Sequence, residues 1–214
     1  MLDRFALRLI QPAVRLLARP LAAAGVHANT LTWTGFAVGM LGAVLVTQAA
    51  FAPALLAFAA SRLCDALDGA LARQTQATDL GGFLDITLDF VFYASVPLAF
   101  AFADPARNAL ASAVVLAAFV GTASSFLAFA ALAAKRGMRS LDYPDKSFYF
   151  LGGLTEGTET LAFFAAACLW PDGFAPLAYG FAALCVVTLV ARLVWGMRAF
   201  AHDLALPARE AGHD

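Results

Sequence analysis

Long apolar stretches separated by short polar breaks make up most of this chain, and within each stretch the apolar residues are continuous rather than alternating. Six stretches, roughly 31–48, 51–72, 84–103, 109–134, 148–170 and 174–200, each approach the ~20 residues a helix needs to cross a bilayer. Continuous runs predict helices rather than barrel strands, because a helix satisfies its own backbone hydrogen bonds in lipid. The breaks carry turn residues: Gln48 to Pro53, Asp79 to Gly82, Asp104-Pro105, Tyr143 to Asp145, and Pro171 to Gly173. None is long enough to be a linker, so residues 1–214 are expected to form one membrane domain.

The first twenty residues follow a different pattern. Arg4, Arg8, Arg15 and Arg19 fall within about 60° of one another on a helix, with Leu2, Phe5, Leu9, Ile10, Leu16 and Leu17 largely elsewhere around it. That pattern predicts an amphipathic helix over 1–20 lying on an anionic leaflet, and the arginines interrupt any cleavable secretory core. The expected fold is therefore an all-α integral membrane protein: a juxtamembrane surface helix, a six-helix transmembrane bundle over about 28–200, and a tail over 201–214.

Composition agrees. The 214 residues are 62% hydrophobic and 14% charged, and the mean hydropathy of +0.77 lies outside the range of an ordinary soluble domain. A net charge of −1 gives no electrostatic case for nucleic acid. Cys64, Cys168 and Cys185 lie in apolar runs without metal-type spacing and read as small buried hydrophobes. His27, His202 and His213 form no cluster. In the six-span plan Arg4, Arg8, Arg15, Arg19, Arg73, Lys135, Arg136, Arg139, Lys146, Arg198 and Arg209 share one side, and Arg107 falls on the other. The positive-inside rule makes the first side cytoplasmic, with both termini there.

Against this scarcity of charge, residues 64–90 hold five acidic positions. Asp65 and Asp68 are three apart on the second span, and Asp85 and Asp89 are four apart on the third, so each pair shares a helix face. Two antiparallel helices with a short loop point the pairs at each other. Four converging carboxylates repel unless cations sit between them, and hard divalent ions such as Mg²⁺ or Mn²⁺ take such ligands. Gly69 and Gly81-Gly82 let a bulky phosphate approach the backbone, and Arg73 offers a charge-assisted donor.

The pattern Asp65-x2-Asp68-Gly69-x2-Ala72-Arg73-x7-Gly81-x3-Asp85-x3-Asp89 resembles the signature of the class I CDP-alcohol phosphotransferases, membrane enzymes that build phospholipids from CDP-activated precursors. A second match is Asn29 and Thr32, which resemble the family's Pro-Asn-x-x-Thr segment, with Ala28 in place of the proline. The resemblance implies that Asp65, Asp68, Asp85 and Asp89 hold two divalent ions, Mg²⁺ or Mn²⁺. It implies that Asn29, Thr32, Gly69, Arg73 and Thr78 contact the CDP moiety, and that Asp89 is also the general base. It further implies a homodimer in the inner cell membrane with its active site facing the cytoplasm, and CDP-diacylglycerol and a small alcohol as substrates.

The remaining intramembrane polar groups bear on the acceptor. Lys135, Arg136 and Arg139 end the fourth span and read either as topology signals or as ligands of an acceptor phosphate. Arg192 lies about two turns inside the last span, poised between binding an anionic acceptor and pairing with Glu156 or Glu159. Those two glutamates bring a polar face into the fifth span, either ion-paired to Arg62 or Arg192 or lining an acceptor pocket; Gly152, Gly153 and Gly157 beside them suit close packing or a dimer seam. Three functions compete. The leading one moves a phosphatidyl group from CDP-diacylglycerol to an alcohol, with glycerol 3-phosphate first among acceptors, or, with the roles reversed, a phospho-alcohol from a soluble CDP-alcohol to diacylglycerol. The others are divalent-cation transport, which calls for acids across the midplane of several helices, and a scaffold with a degenerate site.

Overall fold

The computed structural model describes residues 2–137 and 154–201, with side chains from Gln11 onward. Every element among the described residues is helical: α1 (Leu2–Ala23), α2 (Ala28–Thr47), α3 (Phe51–Gln74), α4 (Asp79–Ala103), α5 (Pro105–Lys135), α6 (Gly157–Leu169), a 3-10 turn (Pro171–Gly173) and α7 (Phe174–Phe200). Four segments are long and apolar enough to cross a membrane: α2, α4, α5, and the 3-10 turn together with α7. The chain is thus an integral membrane α protein. α3 is long enough but carries Arg62, Asp65, Asp68 and Arg73, and α6 has 13 residues.

The sixth element departs from expectation. The predicted span 148–170 begins at positions outside the described residues, and α6 itself starts only at Gly157, so Glu156 and Glu159 stand at a helix N-terminus rather than within a span. The cause is local: the Glu159 carboxylate accepts from the Glu156 backbone N–H at 3.1 Å, and the two residues form a capping box. The proposed glycine seam at Gly152 and Gly153, the bases Arg139 and Lys146, and the tail 202–214 lie outside the described residues.

α2 can lie against both α3 and α4 because one of its faces is glycine. Side chains at Gly35, Gly39 and Gly42 would meet Cys64, Phe92 and Phe58 at 2.9, 2.8 and 2.6 Å, so the neighbouring helices occupy the space a Cβ would need. Behind this seam the core is aromatic. Phe92 packs with Phe58 and Phe164, Phe100 stacks on Phe174 at 4.4 Å, and Phe163 stacks on Phe181 at 4.6 Å.

Buried polar groups join the helices that carry Pro97 and the far turn. Asn108 and Ser112 on α5 donate to the carbonyls of Phe100 and Pro97 at 3.1 and 2.7 Å. At that end Asp104 caps α5 by accepting from the Arg107 N–H, and Arg107 reaches the Asp172 carboxylate at 2.9 Å. α1 is tied to the opposite end: Val14 and Ala18 are buried against Ala70, while Arg15 and Arg19 are exposed.

Candidate active site

Three consecutive helices build the site at the end where α3 hands over to α4. Arg62, Asp65 and Asp68 lie at steps of three on α3, hence along one face. After a short loop Thr78 starts α4 by accepting from the Gly81 N–H at 3.1 Å, which fixes the phase of that helix and brings Asp85 and Asp89 round to face α3. α2 closes the third side, and a small cleft is lined by Thr32, Gly35, Phe36, Arg62, Asp65, Asp85, Leu88 and Asp89.

Asp65, Asp68 and Asp85 each present a carboxylate oxygen, and these oxygens lie within 4.8 Å of one another. Asp68 is only 6% exposed, and its Oδ2 is buried with no hydrogen-bond partner among the described residues. A buried carboxylate oxygen left without a donor and set among two further carboxylates is costly unless a cation takes it. An all-oxygen donor set of this kind suits a hard divalent ion, so the residues fit such an ion.

Asp89 takes a different partner. Its Oδ1 accepts from the Arg62 guanidinium at 2.7 Å, and the same Nη1 lies 3.6 Å from Asp65. Reading Arg62 as a partner for Glu156 or Glu159 therefore gives way to this pairing. The misassignment is a matter of reach: Arg62 is one turn from Asp65 on the same face, so the neighbouring carboxylates are within range, and the spacing (i, i+3) was the signal available in the sequence.

The remaining residues expected to bind CDP gather around the loop. An added Cβ at Gly81 would lie 3.2 Å from both Asn29 Oδ1 and Thr78 Oγ1, which places these three together. Thr32 interacts with the Asp68 carboxylate. At Gly69 a Cβ would stand 3.3 Å from Arg73 Nη1, so the exposed guanidinium folds back over the glycine.

The residues expected to bind the acceptor do not all come together. Lys135 is exposed in the last turn of α5. Arg136 lies over the Phe200 ring at 4.6 Å and donates to the Ala199 carbonyl at 3.4 Å, bracing α5 against the end of α7. Arg192 is 7% exposed, donates to the Thr122 carbonyl at 2.9 Å, and has a buried Nε with no partner among the described residues. Glu156 is near enough for its charge to act on Arg192. Beside them Thr155 donates through both its N–H and its hydroxyl to Thr188 Oγ1, each at 2.9 Å.

The sequence profile of the CDP-alcohol phosphatidyltransferases matches residues 25–191, which takes in α2, all four aspartates and most of α7. The chain belongs to this family. Membership makes it a membrane transferase of phospholipid biosynthesis. Inner membrane protein YnjF of Escherichia coli K12 is 50% identical over 195 residues, covering 91% of this chain and 94% of that one. Archaetidylinositol phosphate synthase of Pyrococcus horikoshii is 36% identical over 97 residues, 45% of this chain and 51% of that one. Among solved structures, Mycobacterium tuberculosis phosphatidylinositol phosphate synthase (PgsA1) with CDP-DAG bound superposes with a TM-score of 0.68 at 23% identity, over 86% of this chain and 93% of the other. The same synthase in complex with manganese and citrate gives 0.67 at 22% identity, over 86% and 88%. At such identity these two structures establish the fold of this CDP-alcohol phosphatidyltransferase.

Proposed function

We propose that this chain transfers a phosphatidyl group from CDP-diacylglycerol to a phosphorylated alcohol and releases CMP. The observation that carries the reading is the convergence of Asp65, Asp68 and Asp85 with an orphaned buried oxygen on Asp68. CDP-DAG binding by the structural relative PgsA1 supports the donor, and the manganese complex of that protein supports the ion.

Asp65, Asp68 and Asp85, joined by Asp89, would hold two divalent ions, Mg²⁺ or Mn²⁺. When bound, such ions neutralise the diphosphate, polarise its phosphorus and stabilise the leaving phosphate. Asn29, Thr32, Gly69, Arg73 and Thr78 bind the CDP end, with Gly69 admitting the phosphate and Arg73 pairing with it. The acceptor hydroxyl oxygen forms a new bond to the lipid-bearing phosphorus while the bond from that phosphorus to the CMP oxygen breaks. The hydroxyl proton passes to Asp89, one of whose oxygens Arg62 holds. CMP leaves as the anion.

Arg192 with Glu156 and Glu159 supplies the acceptor region, and Lys135 and Arg136, at the end of α5, stand apart from Arg192 as further candidates for an acceptor phosphate. A buried guanidinium with a spare Nε favours an anionic acceptor, and glycerol 3-phosphate is the first candidate. An inositol phosphate is the second, following the names of two relatives. In this reading α3 and α6 cross the membrane with the four more apolar spans, both termini and the site face the cytoplasm across the inner membrane, and the chain works as a homodimer.

The deciding experiment follows CMP release by purified protein from CDP-diacylglycerol with Mn²⁺ or Mg²⁺ across a panel of acceptor alcohols. Release with one phosphorylated acceptor, abolished by EDTA, is expected. Release only with a soluble CDP-alcohol and diacylglycerol would reverse the donor, and no release from either pair would sink the reading. Arg192→Gln in the same assay is expected to raise the acceptor KM roughly tenfold or more, the weight of a charged hydrogen bond of about 1.5–3 kcal/mol. The KM for CDP-diacylglycerol should stay unchanged; equal rises in both would remove Arg192 from the acceptor region.

A further inference from the structure

Arg62 is the cation on the carboxylate face of α3, and none of the family signature positions accounts for it. Its side chain is 15% exposed, its guanidinium lies 4.6 Å from the Phe92 ring centroid and 5.7 Å from that of Tyr93, and Nη2 donates to the buried Ser61 hydroxyl at 3.3 Å. One nitrogen, Nη1, then serves Asp89 at 2.7 Å and Asp65 at 3.6 Å. The ring faces and Ser61 fix the plane of the fork, so it meets the carboxylates from beneath as part of the site's floor.

A fixed positive charge touching Asp89 has two consequences. It offsets the repulsion among four carboxylates when no ion is bound, and it opposes a second cation arriving at the same carboxylate. We propose that Arg62 is a positioning residue that holds Asp89 and takes the place of a cation there, so that a divalent ion and the guanidinium compete for that carboxylate. The inference rests on the reading of the aspartate cluster as a divalent-cation site. It gives the site a built-in threshold: an ion engages Asp89 only by displacing or sharing a charge already in place.

The test is Mn²⁺ titration of the purified full chain, with free Mn²⁺ followed by electron paramagnetic resonance and thermal melting measured with and without the ion. Arg62→Gln is expected to bind Mn²⁺ about tenfold more tightly in its weakest step, since one unit charge at this range is worth at least that factor. The same variant should melt lower than wild type without metal and gain more from Mn²⁺. Arg62→Lys keeps the charge but loses the fork. It should bind Mn²⁺ within about threefold of wild type while kcat falls about tenfold at unchanged KM for CDP-diacylglycerol. Unchanged or weaker Mn²⁺ affinity in a folded Arg62→Gln protein overturns the proposal, and a rise in the donor KM alone would make Arg62 a substrate ligand instead. If Arg62→Gln does not fold without metal, saturating Mn²⁺ should restore it, and failure of that rescue counts against the proposal too. Wild type that binds no Mn²⁺ would defeat the metal reading itself, a result distinct from all of these.

Discussion

Asp68→Asn is expected to cut CMP release on the order of 10³-fold or more while leaving the metal-free protein as stable as wild type, or more so. Asp68 carries the buried oxygen without a donor, in a group of three carboxylates whose oxygens lie within 4.8 Å. Asparagine has nearly the same shape but no charge, so it weakens cation binding and forfeits several kcal/mol of charge stabilisation during transfer. In the absence of metal the same change removes one of several mutually repelling carboxylates, which favours the folded state. Activity and melting temperature should therefore move in opposite directions or independently. Parallel loss of both, measured by CMP release and thermal melting in detergent, would mean that Asp68 serves the fold and that the ion reading is misplaced.

Gly39→Val is expected to lower both stability and turnover although it lies outside every signature position. The new Cβ would stand 2.8 Å from Phe92 Cδ2 and 2.9 Å from Ser61 Oγ. Phe92 is fully buried between Phe58 and Phe164 and has no free direction in which to yield. Overpacking of this kind costs about 1–3 kcal/mol. Both residues that must shift also touch Arg62, whose guanidinium lies over the Phe92 ring and donates to Ser61, so the disturbance reaches Asp89 through two contacts. Gly180→Ala is the control, because a Cβ there meets nothing within 4 Å. A Gly39→Val protein as stable and active as the control would show that α2 does not set the floor of the site.

The helical nature of the apolar stretches, the presence of a helix before them and the face-sharing of the aspartates were all legible, because each rests on a period or a fixed spacing within one segment. What depended on contacts between segments was not. The sequence marks Arg62 as an intramembrane cation but does not say which carboxylates lie within its reach; that follows from the rotation of α4, which Thr78 sets through its cap. The start of α6 was missed for a related reason. "TEGTET" looks like a polar face inside an apolar run, whereas Glu156 and Glu159 satisfy the backbone at a helix start, which hydropathy does not register. Arg136 read as a ligand or a topology signal, yet its stacking on Phe200 links two helices 64 residues apart in the chain.

The seat of α1 ties the first helix of the chain to the site. Val14 and Ala18 rest on Ala70, the residue after Gly69, and the Gln74 amide reaches the Arg15 carbonyl at 3.3 Å. Close-packed contacts pass a displacement on rather than absorb it. A shift of α1 is therefore handed to α3 one residue from Gly69, so the first helix of the chain, and not the bundle alone, helps to set where Gly69 and Asp68 stand.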